Sequence, residues 1–447
     1  MLLVASYVFY GSWDWRFLSL ILASTIVDYF VAQKMEAEPF RQRRKLLLGI
    51  SLSANLGILG VFKYLGFFAD SFQALLQGIG YSADPIALSI ILPVGISFYT
   101  FQTLGYSIDV YRREIRSESD FLNFALFVAF FPQLVAGPIE RAKNLLPNIQ
   151  LPRTLSWDAL RRGAVLCALG LIKKIVIADG ISPYVDSVFA SSDPTRIDVL
   201  LAVWFFAIQI YCDFSGYTDI ARGVAKALGF NLMRNFAQPY FAANPQEFWQ
   251  RWHISLSTWL RDYLYISLGG NRGGRLKTSR NLMATMLLGG LWHGAAWNFL
   301  AWGGYQGLLL VVYRGFAGRK PGSGEGEKRR FLAWVIRVLQ IVIFFQFICF
   351  GWLLFRAESF GQIADFTGRI VGWIDTPAGR SISLPNFASI LGIGVLLMWD
   401  LSVESSGNVK FYRSLPLVFR GALYAGMIYF FAFGSSTTSS EFIYFAF

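Results

Sequence analysis

Apolar residues fall along this chain in blocks close to the length of a bilayer crossing, at about 16–33, 47–68, 87–107, 163–180, 199–217, 282–313, 332–355, 384–402 and 421–434. About 20 helical residues match a hydrocarbon layer of ~30 Å, so each block predicts a membrane helix or much of one. Shorter apolar pieces stand at 1–12 and 121–137. Together they predict roughly nine to eleven crossings and re-entrant pieces. The expected fold is an all-α polytopic membrane protein with a single embedded domain over 1–447.

Two blocks depart from a plain crossing. Asn281–Tyr313 has about 33 residues, too many for one upright helix and too few for two full crossings. It also holds Gly289-Gly290, Gly294 and Gly303-Gly304. Broken backbone at membrane depth is tolerated only where protein or enclosed water surrounds it. A kink or re-entrant bend at His293, lining an internal cavity, is therefore expected, with one steeply tilted helix as the competing picture. Phe130–Ile139 (FFPQLVAGPI) is the second interruption, because Pro132, Gly137 and Pro138 break helical hydrogen bonding. It reads as a membrane-dipping piece or a plain helix end.

From Pro245 to Ile266 the periodicity changes character. Trp249, Trp252, Leu256, Trp259 and Tyr263 recur at offsets of three and four, while Arg251, Ser255, Thr258 and Asp262 fall largely elsewhere. That pattern predicts one cytoplasmic amphipathic helix over about 245–267, lying at a membrane interface with His253 beside its aromatic stripe.

Composition supports the membrane class. Hydrophobic residues make up 55% of the 447, charged residues 15%, and mean hydropathy is +0.46; a soluble domain carries about a quarter charged residues. The formal charge of +12 gathers in short loops, which is the pattern that orients membrane proteins and not one that binds nucleic acid. Arg41, Arg43, Arg44 and Lys45, then Arg141, Lys143, Arg153, Arg161 and Arg162, then Arg319, Lys320, Lys328, Arg329 and Arg330 mark cytoplasmic loops. The last group lies in a flexible linker at about 315–330. Asp70–Ile86 and Ile181–Asp198 are poor in Lys and Arg and read as external, as does Gly434–Glu441 (GSSTTSSE). Both flanks of His293 read as cytoplasmic by the same rule. The opening Met1–Tyr10 is too short to span and lacks the basic start of a cleavable signal.

Candidate chemistry centres on the only two histidines, His253 and His293. An imidazole inside an apolar run is costly to bury without a role, and no other side chain ordinarily exchanges protons near neutrality. Cys167, Cys212 and Cys349 are scattered and read as core residues. No ligand spacing for a metal accompanies the histidines, and Ser215 lacks the G-x-S-x-G elbow of a serine nucleophile. Asp213 and Asp219 in Tyr211–Ala221 (YCDFSGYTDIA) read either as orienting groups or as helix-end caps. Lys63, Asp109 and Asp400 read as interfacial.

Phe131–Ile139 (FPQLVAGPI), Tyr211–Asp219 (YCDFSGYTD), Gln238–Arg272 (QPYFAANPQEFWQRWHISLSTWLRDYLYISLGGNR) and Thr285–Gly307 (TMLLGGLWHGAAWNFLAWGGYQG) resemble the membrane-bound O-acyltransferase family. The closest likeness is to its bacterial alginate O-acetyltransferase-like branch, whose usual ending the final FIYFAF also resembles. The resemblance covers nearly the whole chain. It implies a ring of transmembrane and re-entrant helices around a central tunnel, with His293 of the LWHG motif catalytic and His253 of the RWHIS motif its second histidine. It also implies an acyl-thioester donor from the cytosol, acetyl-CoA as co-substrate, and no bound cofactor or metal. The implied setting is the bacterial inner membrane, with lipid, a periplasmic SGNH-type acetyltransferase and an exopolysaccharide or cell-wall glycan as partners.

Two departures from the family pattern stand out. Fewer apolar residues precede VASYVFY than is usual, which leaves the first span in question. Gln133 stands where some alginate enzymes carry histidine, so alginate is not secured as the final acceptor. Arg251, Arg261, Arg272 and Arg275 are expected to attract either a phosphate-rich donor or phospholipid headgroups. The function expected is O-acetyl transfer; the alternatives are D-alanyl transfer from a carrier protein to teichoic acid, and a transporter or flippase.

Overall fold

The computed structural model describes residues 1–81, 90–316, 327–376, 382–408, 414–434 and 442–443, and among them every regular element is helical. The helices are α1 (Leu2–Asp14), α2 (Leu18–Ala37), α3 (Arg41–Leu59), α4 (Leu65–Gly78), α5 (Ile96–Arg112), α6 (Phe121–Ala129), α7 (Phe131–Leu134), α8 (Ala142–Gln150), α9 (Trp157–Leu171) and α10 (Asp179–Ala190). They continue with α11 (Arg196–Ala227), α12 (Pro245–Arg251), α13 (Ile254–Trp259), α14 (Gly274–His293), α15 (Trp297–Phe316), α16 (Glu327–Arg356), α17 (Phe360–Val371), α18 (Phe387–Ser406) and α19 (Leu417–Phe433). Most of the expected linker and tail, including 317–326 and 435–441, and residues 444–447 of the final motif lie outside the described residues.

Five stretches among the described residues are long and apolar enough to cross a membrane: Leu2–Ala37, Arg41–Gly78, Arg196–Ala227, Phe331–Arg356 and Phe387–Ser406. Of the other expected blocks, 87–107 is helical only from Ile96, its residues 87–89 lying outside the described residues, 421–434 falls on α19 up to Phe433, and the remaining two are interrupted. The block at 163–180 loosens into a π-type segment, Ile172–Ala178, that carries Lys173 and Lys174. The 33-residue block is two helices, α14 and α15.

The chain groups into two compact units. One comprises Met1–Ala164, Ala221–Met233 and Gly294–Ala296. Its helices α2, α3 and α5 are pinned by a buried polar cluster in which Asp28 accepts from Ser51, from Asn55 at 2.8 Å and from Ser107 at 3.2 Å. The Asn55 oxygen accepts in turn from Ser24 at 2.6 Å and Thr103 at 3.2 Å. Carboxylate, amide and hydroxyls satisfy one another, which is the condition for burying them. In Phe130–Ile139 (FFPQLVAGPI) the backbone breaks at Phe130, between α6 and α7, and Gln133 donates to Gln102 at 2.8 Å. Phe130, Gln133 and Leu134 are all buried, so this broken backbone is surrounded by protein.

The other unit comprises Val165–Ile220, Arg234–His293 and Trp297–Phe447. Here α14 and α15 form an antiparallel hairpin, with Gly290 against Phe299 and Gly303, Met286 against Gly303, and Met283 against Gly307. The order of these meetings reverses from one helix to the other, which settles the direction. The break at Gly294–Ala296 thus replaces the single tilted helix, and the bend expected at His293 is present.

Candidate active site

The segment predicted as one amphipathic helix over 245–267 is broken in its middle. Asn244 caps α12 by accepting from the Glu247 backbone N–H at 2.9 Å, with Pro245 at its first position. The helix stops at Trp252, which is extended, and His253, which adopts the left-handed conformation at φ 43° and ψ 55°. The chain then re-enters a helix at Ile254 and widens into a π-type turn over Leu260–Tyr265. The expected interfacial stripe is also corrected: Trp252, Leu256, Trp259 and Tyr263 are buried in protein. Helical spacing of large apolar residues reports a covered face but not whether lipid or protein covers it.

A left-handed histidine is uncommon and needs surrounding structure to hold it. Asn235 supplies much of that hold. Its carbonyl accepts from the Ile254 N–H at 2.9 Å, and its side-chain oxygen accepts from the Ser255 N–H at 3.1 Å and the Ser255 hydroxyl at 3.0 Å. The same amide oxygen lies 3.2 Å from His253 Nδ1.

His293 is the last residue of α14, at the turn of the hairpin. Asn298, one residue into α15, donates to the carbonyls of Phe355 and Ala357 at 3.3 and 3.2 Å, which ties the start of α15 to the end of α16. The His293 ring accordingly lies 5.5 Å from Phe355 and 5.0 Å from Trp302, edge-on to both. His253 packs edge-on to Phe214 of α11 at 4.7 Å and to Trp292 at 5.7 Å. The two imidazoles stand 6.5 Å apart, centroid to centroid, and both are buried. The structure therefore brings together the two predicted histidines inside one aromatic box. Buried aromatic walls lower the local dielectric, which strengthens any charge interaction formed between the two imidazoles.

Other sequence candidates are placed differently. Arg251 is held by Glu404 at 2.6 Å and Glu247 at 2.7 Å, so its charge is already matched by carboxylates. Arg337 also donates to Glu247. Burial pushes the Glu247 carboxyl up, but the Arg337 hydrogen bond, the Ala243 N–H and the Arg251 charge outweigh it and hold the group below its ordinary range. Arg261 pairs with Asp262 at 2.7 Å at the surface, and Arg272 and Arg275 are exposed. Tyr211–Ala221 is not a helix end, since it lies inside the continuous α11. Its acids are matched by lysines from the π-type segment, Asp219 by Lys173 and Asp213 by Lys174, both at 2.8 Å. Those partners let the helix continue where the local Ser/Asp/Gly run alone reads as a turn. Ser215, mid-helix, sits on no sharp turn.

Asp400 is corrected from interfacial to buried, where it accepts from Tyr211 at 2.9 Å and Gln238 at 3.4 Å. Asp109 is likewise buried, and Lys63 reaches Ser97 at 3.4 Å. Cys212 and Cys349 are buried and Cys167 half-buried. Sequence reasoning missed Asn235, Trp302 and Phe355, none of which has a local signal marking it as a neighbour of a histidine.

With this geometry in place, comparison with known proteins is informative. The profile of MBOAT, the membrane-bound O-acyltransferase family, matches residues 110–355, which include both histidines. The chain is similar to the "Probable alginate O-acetylase AlgI" of Azotobacter vinelandii, 44% identical over 416 residues, covering 92% of this chain and 80% of that one. A peptidoglycan O-acetyltransferase of Helicobacter pylori is 36% identical over 401 residues, 83% of this chain and 73% of that one. A teichoic acid D-alanyltransferase of Bacillus subtilis is 28% identical over 281 residues, 60% of this chain and 69% of that one.

Proposed function

This chain belongs to the membrane-bound O-acyltransferase family, and from that premise we propose that it moves an acetyl group from a cytosolic thioester, acetyl-CoA, to a glycan hydroxyl exported across the bacterial inner membrane. A periplasmic SGNH-type acetyltransferase would complete the delivery. Five stretches among the described residues that are long and apolar enough to cross a membrane support this reading. The observation that carries the reading is the pair of buried imidazoles 6.5 Å apart. Greater identity to the two O-acetyl-transferring relatives than to the D-alanyl-transferring one favours acetyl as the group moved.

In this reading His293 is the general base. It takes the proton of the acceptor hydroxyl as that oxygen attacks the thioester carbonyl. The tetrahedral adduct then collapses, the carbon–sulfur bond breaks, and the proton passes from the imidazolium to the departing thiolate, leaving an ester and a thiol. A positioned base of this kind contributes ~10²–10⁴-fold. Its place at the carboxyl end of α14 suits the role, because the dipole of a helix favours a cation at that end, here the imidazolium formed in mid-reaction. His253, in the same box, holds the reacting groups in register.

The test is acetyl transfer from radiolabelled acetyl-CoA into the polysaccharide fraction of membranes bearing the full chain. His293→Ala is expected to abolish transfer, and His253→Ala to reduce it, with both proteins inserted at the parental level. Undiminished transfer by His293→Ala would reject the reading. Label accepted only from an acylated carrier protein would replace acetyl-CoA as the donor.

A further inference from the structure

We infer that Asn235 is a positioning residue that acts through His253, fixing that imidazole with its proton on Nδ1 and its lone pair on Nε2. The inference rests on the acyl-transfer reading of the two-histidine box and specifies how one of its members is held.

The orientation of the Asn235 amide is decided by the backbone. The Ser255 N–H, 3.1 Å away, is a donor and must meet an oxygen, so the amide oxygen and not its nitrogen faces residues 253–255. The Ser255 hydroxyl reaches that oxygen as well, at 3.0 Å. An oxygen pinned in this way accepts and does not donate. His253 Nδ1, 3.2 Å from it, is therefore the nitrogen that carries the proton. The neutral ring then presents Nε2 as an acceptor. It enters the reaction by taking a hydrogen bond or a proton, and it polarises a carbonyl only once protonated. When Nε2 does take a proton, the Asn235 oxygen stays on the Nδ1–H and stabilises the cation through it. His293, 6.5 Å away ring to ring, is the titratable neighbour in the box.

The same residue holds the backbone in place. The Asn235 carbonyl accepts from Ile254, and two residues on the Ala237 N–H donates to the Arg251 carbonyl at 2.9 Å. One short segment thus clamps the chain on both sides of the left-handed His253. Asn235 and His253 are both wholly buried, so no water competes for these bonds. A residue that orients an imidazole without touching the reacting atoms is worth ~10–10⁴-fold in comparable arrangements.

The experiment is a double-mutant cycle on the full chain in membranes, read as turnover of radiolabelled acetyl-CoA. Asn235→Ala is expected to lower kcat by ~10–100-fold while changing KM for acetyl-CoA by less than about threefold. Added to His253→Ala, it should cause no further loss, because its effect runs through that ring. Asn235→Asp keeps an acceptor oxygen and is expected to recover most of the activity and to fold even where the alanine variant does not. Losses that multiply in the double variant, or an aspartate variant as poor as alanine, would overturn the assignment. If His293→Ala is itself fully active, it is the acyl-transfer reading that fails; if the histidine variants are impaired and the coupling is absent, only the role of Asn235 fails.

Discussion

Gly290 and Gly303 meet backbone to backbone across the α14–α15 hairpin. A Cβ on Gly290 would come within 2.3 Å of the Phe299 carbonyl oxygen, and one on Gly303 within 2.4 Å of the Met286 carbonyl oxygen. Both obstacles are main-chain atoms, which do not swing aside. Close approach of small residues is how helices gain contact where lipid removes the hydrophobic drive between them. A methyl group at either site must therefore push the helices apart and shift His293, three residues beyond Gly290. Overpacking of this kind costs ~1–3 kcal/mol, and displacement of a reacting group by ~1 Å can cost ~10²-fold in rate. Gly290→Ala and Gly303→Ala are expected to lower the thermal midpoint in detergent and to reduce acetyl transfer more than in proportion. Gly304→Ala is the control, since its Cβ would meet only the Leu287 side chain at an ordinary 3.5 Å. Equal behaviour of all three variants would remove the hairpin's close approach as the explanation.

That hairpin was legible in the sequence because its length and glycines fitted neither one crossing nor two. The helical class was legible for a similar reason: bilayer-length apolar blocks leave the backbone few alternatives. The break at His253 was not. Trp249, Trp252, Leu256, Trp259 and Tyr263 keep helical spacing straight through it, and the residue that holds the break, Asn235, lies 18 positions away. For Asp213 and Asp219 the sequence left orienting groups and helix-end caps as equal readings, because the lysines that neutralise them sit on another segment. Local pattern reports which face is covered, whereas partners distant in sequence decide where a helix bends and which buried charges it tolerates.

The pairing of Arg251 with Glu404 and Glu247 fastens α12, two residues before His253, to α18, and Arg337 brings in α16. Glu247 supplies a pH signature for this fastening. Its carboxyl is held below the usual range in the folded protein, burial being outweighed by Arg337, the Ala243 N–H and Arg251. A carboxylate depressed in this way adds stability above its unfolded pKa, ~4.3, and that stability is lost as pH falls through the folded value. Glu247→Gln is expected to lower the thermal midpoint at neutral pH, with the gap from the parent protein closing below about pH 4. A gap that stays constant from neutral pH to acid would show that charge at Glu247 contributes nothing.

Lys174 stands between two buried carboxylates, 2.7 Å from Asp179 and 2.8 Å from Asp213, and the second Asp213 oxygen accepts from the Ile443 N–H at 2.8 Å. Asp213 immediately precedes Phe214, whose ring packs on His253, so the charge cluster shares its stretch of α11 with one wall of the box. Lys174→Met would leave two carboxylates facing each other without their cation. Removing one partner of a buried ion pair typically costs ~3–5 kcal/mol, whereas replacing all the charges together is often near neutral. Lys174→Met alone is expected to aggregate or fail to insert. Combined with Asp179→Asn and Asp213→Asn, it is expected to recover a monodisperse protein by size-exclusion chromatography. Acetyl transfer by that neutral triple variant then separates two roles. Activity returning with the fold is the expected result and means that the cluster serves only to hold α11 beside His253. A folded but inactive triple variant would mean instead that its charges act on the reaction itself.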